Sequence, residues 1–308
     1  GRATGAVPWI GAEQVAALPM AEAVAALAGA LRDGLDVAGG PPRVGVPTTA
    51  GQLLLMPAEG GERVGVKVVS VAPGNPARDL PLVQAVYVLL DGPTLTPVAL
   101  LDGTALTALR TPAVSAVAAD RLAAPDAARL VVFGCGTQAW GHVQALRAIR
   151  PLREVVAVGR DPGRMAAFAA GVTELGLAAR PGTPADVAEA DLVVCATTAG
   201  RPLFDGTLVR PGTCVLAVGT HERHRRELDG HLLARSTVVV EDLTTALREA
   251  GDIVLAVEDG SLDPAHLHSL TDLVAGRVTR TPTRPAVFKS VGMAWQDLVI
   301  ATELHRRL

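Results

Sequence analysis

The rhythm of the second half of the chain constrains the fold most. Five short Val-rich runs, at 129–134 (RLVVFG), 154–159 (EVVAVG), 191–197 (DLVVCAT), 213–219 (TCVLAVG) and 236–241 (STVVVE), alternate with stretches of helical pattern. Neighbouring parallel strands need long crossovers, so this alternation predicts a parallel sheet with helices on both faces. The first run leads into Gly134-Cys135-Gly136-Thr137-Gln138-Ala139, which fits G-x-G-x-x-G/A, and a helical pattern continues to Ile149. In such a loop Gly134 permits the tight turn, Gly136 lets the backbone approach a pyrophosphate, and Ala139 keeps helix and strand close. The helix N-terminus then offers unpaired N–H groups to the phosphates. The same glycines would also serve a plain strand-to-helix turn, but the ordered strand candidates around them favour a dinucleotide site.

The end of the second run bears on which dinucleotide. It reads VVAVGRDPGRM, with Arg160 and Asp161 just past Gly159. An arginine there stacks on adenine and pairs with a 2′-phosphate, whereas an acid there holds ribose hydroxyls. Asp161 also suits a helix N-cap ahead of Pro162, and Arg160 a solvated loop. NADP(H) is favoured, with NAD(H) left open.

The first half differs. Residues up to about 35 read helical, with Pro19 starting a second helix, and 37–51 (VAGGPPRVGVPTTAG) reads as a Gly/Pro-rich loop. Four strand-like runs follow, QLLLM, RVGVKVVSV, LVQAVYVLL and TLTPVALLDG, and then a helical pattern from Thr104 to Leu122. Strands grouped in this way predict an α+β unit. The final stretch, 286–308, reads as one helix reached after the parallel sheet is complete and returning to the first domain. The predicted organisation is an α+β domain over 1–118, joined by 288–308, and a Rossmann-type domain over 119–287.

Composition narrows the function classes. At 49% hydrophobic and 19% charged residues the chain builds a large core, and 3% aromatics give few stacking platforms. A net charge of -3 with no long basic run disfavours nucleic acid and anionic membranes as partners. Cys135, Cys195 and Cys214 sit in or beside Val/Leu runs without a C-x-x-C pair, which suits reduced, structural thiols in a cytoplasmic protein. No signal peptide or membrane span is visible, since Pro19 and Glu22 interrupt 15–31, and Gly1 in place of Met suggests processing or a tag remnant. The pairs His221/His224 and His266/His268 lack a carboxylate partner at metal-site spacing, so no metal is expected.

Three cations stand in apolar company. Lys67 lies inside VGVKVVSV, Arg110 between ALTAL and TPAVSA, and Arg43 in the Gly/Pro loop. A lysine in such a strand is costly to bury unless an anion accompanies it. The three suit a clamp on a small carboxylate; an edge-strand lysine and ordinary arginine ion pairs are the plainer alternative.

GVKVVSVAPGNPARDLP, PVALLDGTALTALRTPAVSAVAA, VFGCGTQAWGHVQAL, AVGTHERHRREL and VFKSVGMAWQDLVIA, in this order and spacing, resemble the ornithine cyclodeaminase/mu-crystallin family over almost the whole chain. The resemblance implies a substrate-binding and dimerisation domain, a Rossmann domain, a nicotinamide cofactor and a homodimer. Carried over by position, it implies that Arg43, Lys67 and Arg110 hold the substrate carboxylate or adjoin the nicotinamide. Thr137 and Gln138 belong to the pyrophosphate loop, and Thr197, Val218, Gly219 and Ser290 are further cofactor contacts. Arg160 resembles the arginine of the NADPH-binding crystallin branch.

Two departures matter. His221 stands where cyclodeaminases carry an Asp, and Leu54 where they carry a Glu. Losing both carboxylates argues against ornithine cyclisation and leaves the simpler hydride transfer to a C=N bond beside a carboxylate. The expected protein is therefore a reductase of small 2-imino acids, cyclic ones such as pyrroline- or piperideine-2-carboxylate included. An ornithine cyclodeaminase or amino-acid dehydrogenase is the alternative enzyme. A crystallin-like binder of NADPH and a small ligand is the alternative from another class, and Leu54 and Leu82 would suit its more apolar pocket. Lys67 is the leading proton donor; His221 is either a second one or a polar loop residue.

Overall fold

A computed structural model describes residues 6–308, so the reading of Gly1 lies outside the described residues. The chain divides into two compact units. One comprises the chain up to Thr111 together with Met293–Leu308, the other Pro112–Gly292. The changeovers at 111/112 and 292/293 stand beside the sequence boundaries of 118/119 and 287/288.

The first unit opens with β1 (Trp9–Ile10), α1 (Ala12–Ala16) and α2 (Met20–Arg32), whose N-cap is Pro19. It continues through β2 (Val44–Thr48), β3 (Gly51–Gly60), β4 (Arg63–Val71), β5 (Val83–Asp91) and β6 (Pro97–Asp102) into α3 (Gly103–Leu122). The strands form one sheet in the order β1-β6-β5-β4-β3-β2, antiparallel except for the β1–β6 pair. β2 corrects the reading of 37–51 as loop. It buries none of its residues and contains Pro47, which an edge strand tolerates, so only its pairing with β3 reveals it.

The two faces of this sheet differ. Ile10, Leu101, Tyr87, Lys67 and Met56 form one row across five strands, and all five are buried. Gly65 is required beside this row, because a Cβ there would lie 2.0 Å from the Tyr87 hydroxyl oxygen. On the opposite face Val66 and Val68 are only half-buried, and Trp9, Val44, Val46 and Val86 are exposed.

The second unit carries β7 (Arg129–Phe133), α4 (Thr137–Ile149), β8 (Glu154–Val158), α5 (Pro162–Glu174), β9 (Ala178–Pro181), β10 (Leu192–Cys195) and β11 (Cys214–Ala217). Next come α6 (Gly230–Ala234), β12 (Thr237–Val240), α7 (Leu243–Glu249), α8 (Gly251–Glu258), β13 (Leu267–Ser269), α9 (Leu270–Val274) and β14 (Ala286–Lys289). All eight strands are parallel, in the order β13-β12-β14-β11-β10-β7-β8-β9. Val131, Val156, Val193, Val215, Val238 and Val287 share its core. The fold is thus the expected pairing of a Rossmann-type parallel sheet with an α+β unit.

β14 is the main correction. Residues 286–289 were expected to begin the closing helix, yet they form a strand inserted between β11 and β12. All four are buried, and a short apolar run sealed on both faces has no alternation to tell strand from helix. Ser290–Gly292 then break away, with Gly292 at φ 83°, and the helix proper is α10 (Ala294–His305). It returns to the first unit and packs on α2, β3, β4 and β5. Among the described residues no helix is long and apolar enough to cross a membrane, and Cys135, Cys195 and Cys214 are free.

Candidate active site

In the second unit the chain runs outward from β7 through β8 to β9, then resumes at β10 on the other side of β7. The carboxyl ends of β7 and β10 therefore mark the point where strand order reverses, where open α/β sheets bind ligands. The sequence-selected residues fall at the carboxyl ends of five neighbouring strands. Gly134 to Gln138 follow β7, Arg160 and Asp161 follow β8, Thr197 follows β10, Val218 and Gly219 follow β11, and Ser290 follows β14.

The glycine loop has the properties of a phosphate cradle. Gly134 adopts φ 103°, and a Cβ there would strike the Ala196 carbonyl oxygen at 2.4 Å, so the loop closes tightly on the end of β10. Around Gly136 a Cβ would meet nothing within 4 Å, and Gly136 caps α4 with no side chain of its own. The first-turn N–H groups of α4 are thus left for an anion. Beneath them, His142 is buried, its Nδ1 2.7 Å from the Gln138 carbonyl and its Nε2 2.9 Å from Ser115 Oγ. A carbonyl only accepts, so Nδ1 carries the hydrogen and the Ser115 hydroxyl donates to Nε2. Burial lowers the His142 pKa to about 4 against the opposing Gln138 bond, so the ring stays neutral.

Arg160 is exposed just past β8. Asp161 is the N-cap of α5, its Oδ1 accepting from the Arg164 N–H at 2.9 Å. That bond commits one oxygen of the acid to the helix.

Below the carboxyl ends lies a buried network that sequence reasoning missed. Glu227 Oε1 accepts from both the N–H and the hydroxyl of Thr197 at 2.8 Å, and its Oε2 accepts from the Gly219 N–H at 2.8 Å. A Cβ on Gly219 would lie 2.1 Å from the Thr197 carbonyl oxygen, so only glycine allows these two loops to meet. Glu241 plays the same part on the far side, taking the Ser290 hydroxyl at 2.9 Å and the N–H groups of Val291 and Gly292 at 2.8 and 3.1 Å. The hydroxyl hydrogens of Thr197 and Ser290 are therefore spent on glutamates, and what they still offer is an acceptor.

Asp252 supports Glu227 in turn. Its Oδ1 accepts from the N–H groups of Glu227 and Leu228 at 2.7 and 2.8 Å, and its Oδ2 lies 2.9 Å from Lys289 Nζ and takes the Thr220 hydroxyl at 2.9 Å. Lys289 also donates to the Thr220 carbonyl at 2.5 Å. Burial works against charge on Asp252, but the Lys289 ammonium and these hydrogen bonds outweigh it and hold its pKa low. Burial pushes the Glu227 carboxyl upward, with Lys289 opposing and Asp252 adding to the rise.

The first unit gathers the cations. The chain has only two lysines, Lys67 and Lys289, both buried, while its many other side-chain cations are arginines. Lys67 Nζ donates to Asp297 Oδ1 at 3.1 Å, lies 2.9 Å from Oδ2, and donates to Thr107 Oγ1 at 3.0 Å. Arg110 donates from Nε to Asp297 Oδ1 at 3.1 Å and from Nη1 to Gln296 Oε1 at 2.6 Å. The anion demanded by a lysine in an apolar strand is thus supplied internally, by the first turn of α10. Continuing the β2–β3 register puts Arg43 beside Met56, at the end of the Lys67 row. Burial lowers the Lys67 pKa to about 8; Arg110 adds to the fall, Asp297 opposes it, and Arg43 lowers it further.

His221 is exposed in the loop after β11, and its neighbour His224 is 80% exposed and 3.3 Å from Glu222. His266 is exposed and His268 lies in β13; among the described residues no group of three or more His, Cys, Asp or Glu is arranged to hold a metal. Leu54 shares the Lys67 face of the sheet, paired with Val69, and Leu82 is exposed ahead of β5. The missed acids left one sequence signal: Asp297 and Lys67 are each a single charge inside an apolar run, hence complementary.

Comparison with known proteins places these features in a family context. The profile of the ornithine cyclodeaminase/mu-crystallin family matches residues 12–308. The chain is similar to a Delta(1)-pyrroline-2-carboxylate reductase of Bacillus cereus, 35% identical over 82% of this chain and 81% of the relative. Among solved structures it resembles Thermococcus litoralis Delta(1)-pyrroline-2-carboxylate reductase in complex with NADH and L-proline, with TM-score 0.90, 30% identity and coverage of 98% and 97% of the two chains. It also resembles an archaeal alanine dehydrogenase dimer with bound NAD, with TM-score 0.89, 30% identity and coverage of 97% and 95%.

The Lys289–Asp252 pair yields the first prediction. Asp252→Asn leaves a buried ammonium without its anion and is expected to destabilise the protein by about 3–5 kcal/mol. Replacing both partners, Lys289→Met with Asp252→Leu, removes both buried charges and should recover part of that loss. Urea unfolding of the three proteins checks the order; a double variant less stable than Asp252→Asn would contradict it.

Proposed function

The chain belongs to the ornithine cyclodeaminase/mu-crystallin family, and we propose that it is a nicotinamide-nucleotide-dependent reductase of small 2-imino acids, cyclic ones such as pyrroline- or piperideine-2-carboxylate included. One observation carries this reading. Two buried cations, Lys67 and Arg110, are locked in place by Asp297, Thr107 and Gln296 and share the single carboxylate of Asp297, so the cluster keeps an excess of positive charge. A substrate carboxylate fits that excess, with Arg43 adding charge from the end of the same row. Leu54, Met56 and Val69 on this face suit methylene groups better than a second amine.

A reduced nicotinamide would supply the hydride for the C=N carbon, and the Gly134–Gln138 loop with the first turn of α4 would hold its phosphates. The residues of the chain supply the rest. Arg110 and Arg43 hold the carboxylate and so orient the imine. Lys67 Nζ gives a proton to the imine nitrogen, leaving a neutral amine that solvent reprotonates. Glu227 and Glu241 keep the loops after β10, β11 and β14 in register. His221, exposed in its loop, is the secondary candidate for the proton.

The assay is oxidation of NADPH by pyrroline-2-carboxylate; reduction of pyruvate with ammonia, or ornithine turnover to proline and ammonia, would point to the alternative enzymes. Lys67→Met keeps the bulk and removes the charge, and is expected to lower imine reduction about 100-fold or more while cofactor binding survives. The donor must be an ammonium, so kcat/KM for reduction should be level at lower pH and fall as pH rises through about 8. Wild-type rates from Lys67→Met would remove Lys67 from the chemistry, and loss of activity on His221→Ala instead would make His221 the donor.

The preferred nucleotide is NADPH. Arg160 is exposed just past β8, which suits an arginine that pairs with a 2′-phosphate, and one Asp161 oxygen is committed to the α5 cap, which makes that acid a poorer ribose ligand. Arg160→Ala should weaken NADPH by about 1–3 kcal/mol and leave NADH nearly unchanged. Equal losses for both nucleotides, measured by fluorescence titration, would refute the preference.

The protein acts as a homodimer joined through the first unit. The open sheet face bearing Trp9, Val44, Val46 and Val86 is an apolar surface, which water-exposed monomers seldom carry, and the similar archaeal alanine dehydrogenase is a dimer. Val86→Arg should shift light scattering from dimer to monomer at micromolar concentration. A wild type that is already monomeric would overturn this assembly.

A further inference from the structure

Asp297 is fully buried on the first turn of α10, and the imine reduction proposed above makes no direct use of its carboxylate. Its surroundings are unusual. Oδ1 accepts from Lys67 Nζ and from Arg110 Nε, Oδ2 lies 2.9 Å from the same Nζ, and the neighbouring Gln296 takes Arg110 Nη1. Two consecutive residues of one helical turn therefore take the guanidinium at Nε and at Nη1 and so fix its plane. The ammonium sits against both oxygens of Asp297 and against Thr107 Oγ1, so α10 and α3 fix its position.

The charges point the same way. Lys67 is faced by Arg110 from α3, Arg43 from the edge before β2, Asp297 from α10 and Tyr87 from β5. Tyr87 stays a neutral phenol, because burial and then Asp297 push its pKa well up. Among the described residues Asp297 is thus the anion acting on a buried ammonium that two guanidiniums disfavour. We propose that Asp297 is a positioning residue of the reaction: it fixes Arg110 for the substrate carboxylate and keeps Lys67 charged as proton donor. The inference rests on the imino-acid reading, and the rival is a carboxylate that only staples α10 to the sheet.

With two lysines in the sequence, lysine labelled at Cε with carbon-13 gives two side-chain NMR signals, and Lys67→Met assigns them. The Lys67 signal of the wild type is expected to titrate near pH 8. In Asp297→Asn the midpoint should fall by about one pH unit or more, with the alkaline limb of kcat/KM following it. Activity at pH 6 should then be lost far less than activity at pH 8. A midpoint that stays in place with a uniform loss at every pH overturns the proposal in favour of the staple.

Asp297→Glu preserves the charge and keeps the test decisive if the Asn variant does not fold. Its Lys67 midpoint should stay within about half a pH unit of wild type, while KM for the imino acid rises about 10-fold and kcat changes less, as expected for a displaced Arg110. An unchanged KM overturns the role in fixing Arg110. The titration needs no substrate, so its failure is distinguishable from failure of the imino-acid reading: a wild type that oxidises no NADPH with any 2-imino acid overturns the latter alone.

Discussion

The buried contact of Lys67 with Asp297 joins residues 230 positions apart in sequence, and the first unit depends on it. A lysine in the middle of β4 is intolerable without a counter-charge, and an aspartate on an apolar helix is equally so. Each makes the other possible only if the chain leaves this unit, builds the whole parallel sheet and returns as α10. The discontinuity of the first unit is thus tied to one electrostatic requirement. It explains why α10 carries Gln296 and Asp297 on its buried first turn, where a helix packed only for hydrophobic contact would carry apolar residues.

The same requirement decided what was legible in the sequence. Lys67, Arg110 and Arg43 stood out as cations in apolar company, and the parallel sheet announced itself through the spacing of its Val-rich runs. The glycine loop was legible because strand, glycines and helix are contiguous. The acids were not. Glu227, Asp252 and Glu241 lie in or beside polar stretches, where a carboxylate looks like solvated surface until the fold brings backbone N–H groups to it. Asp297 sat in a segment whose closing helix was expected, yet its partner lay in a strand with which the local pattern has no connection. β14 was misread for a related reason: four apolar residues buried on both faces have no periodicity, so only the sheet decides their state. β2, with every residue exposed and a proline inside, fails in the opposite sense, being a strand by pairing alone.

The second unit shows how a loop-built end of a sheet is made rigid. Loops are usually mobile because their backbone groups face water. Here Glu227 and Glu241 each gather donors from separate segments, and Asp252 with Lys289 holds the segment that carries Glu227. Thr197 and Ser290, assigned to a cofactor by resemblance, are first of all donors to these glutamates. A direct contact with a ligand would have to use their remaining lone pairs, so any role in binding is that of an acceptor on a fixed frame.

The two lysines set these frames apart. Lys289 is saturated: Asp252 and the carbonyl and hydroxyl of Thr220 take its three hydrogens, and it has nothing left to offer a ligand. Lys67 shares its one carboxylate, Asp297, with Arg110, and the guanidiniums close by make its charge harder to keep. Arginine would serve for plain charge at either position, but its proton is never released near neutral pH, and its planar fork cannot share one carboxylate with a second guanidinium as compactly. A lysine with a carboxylate to itself is a structural pin; one that shares its carboxylate with a guanidinium, its pKa brought down to about 8, is a group that can part with a proton. That difference in counter-charge, more than burial, which the two share, is what separates the residue suited to chemistry from the one suited to architecture.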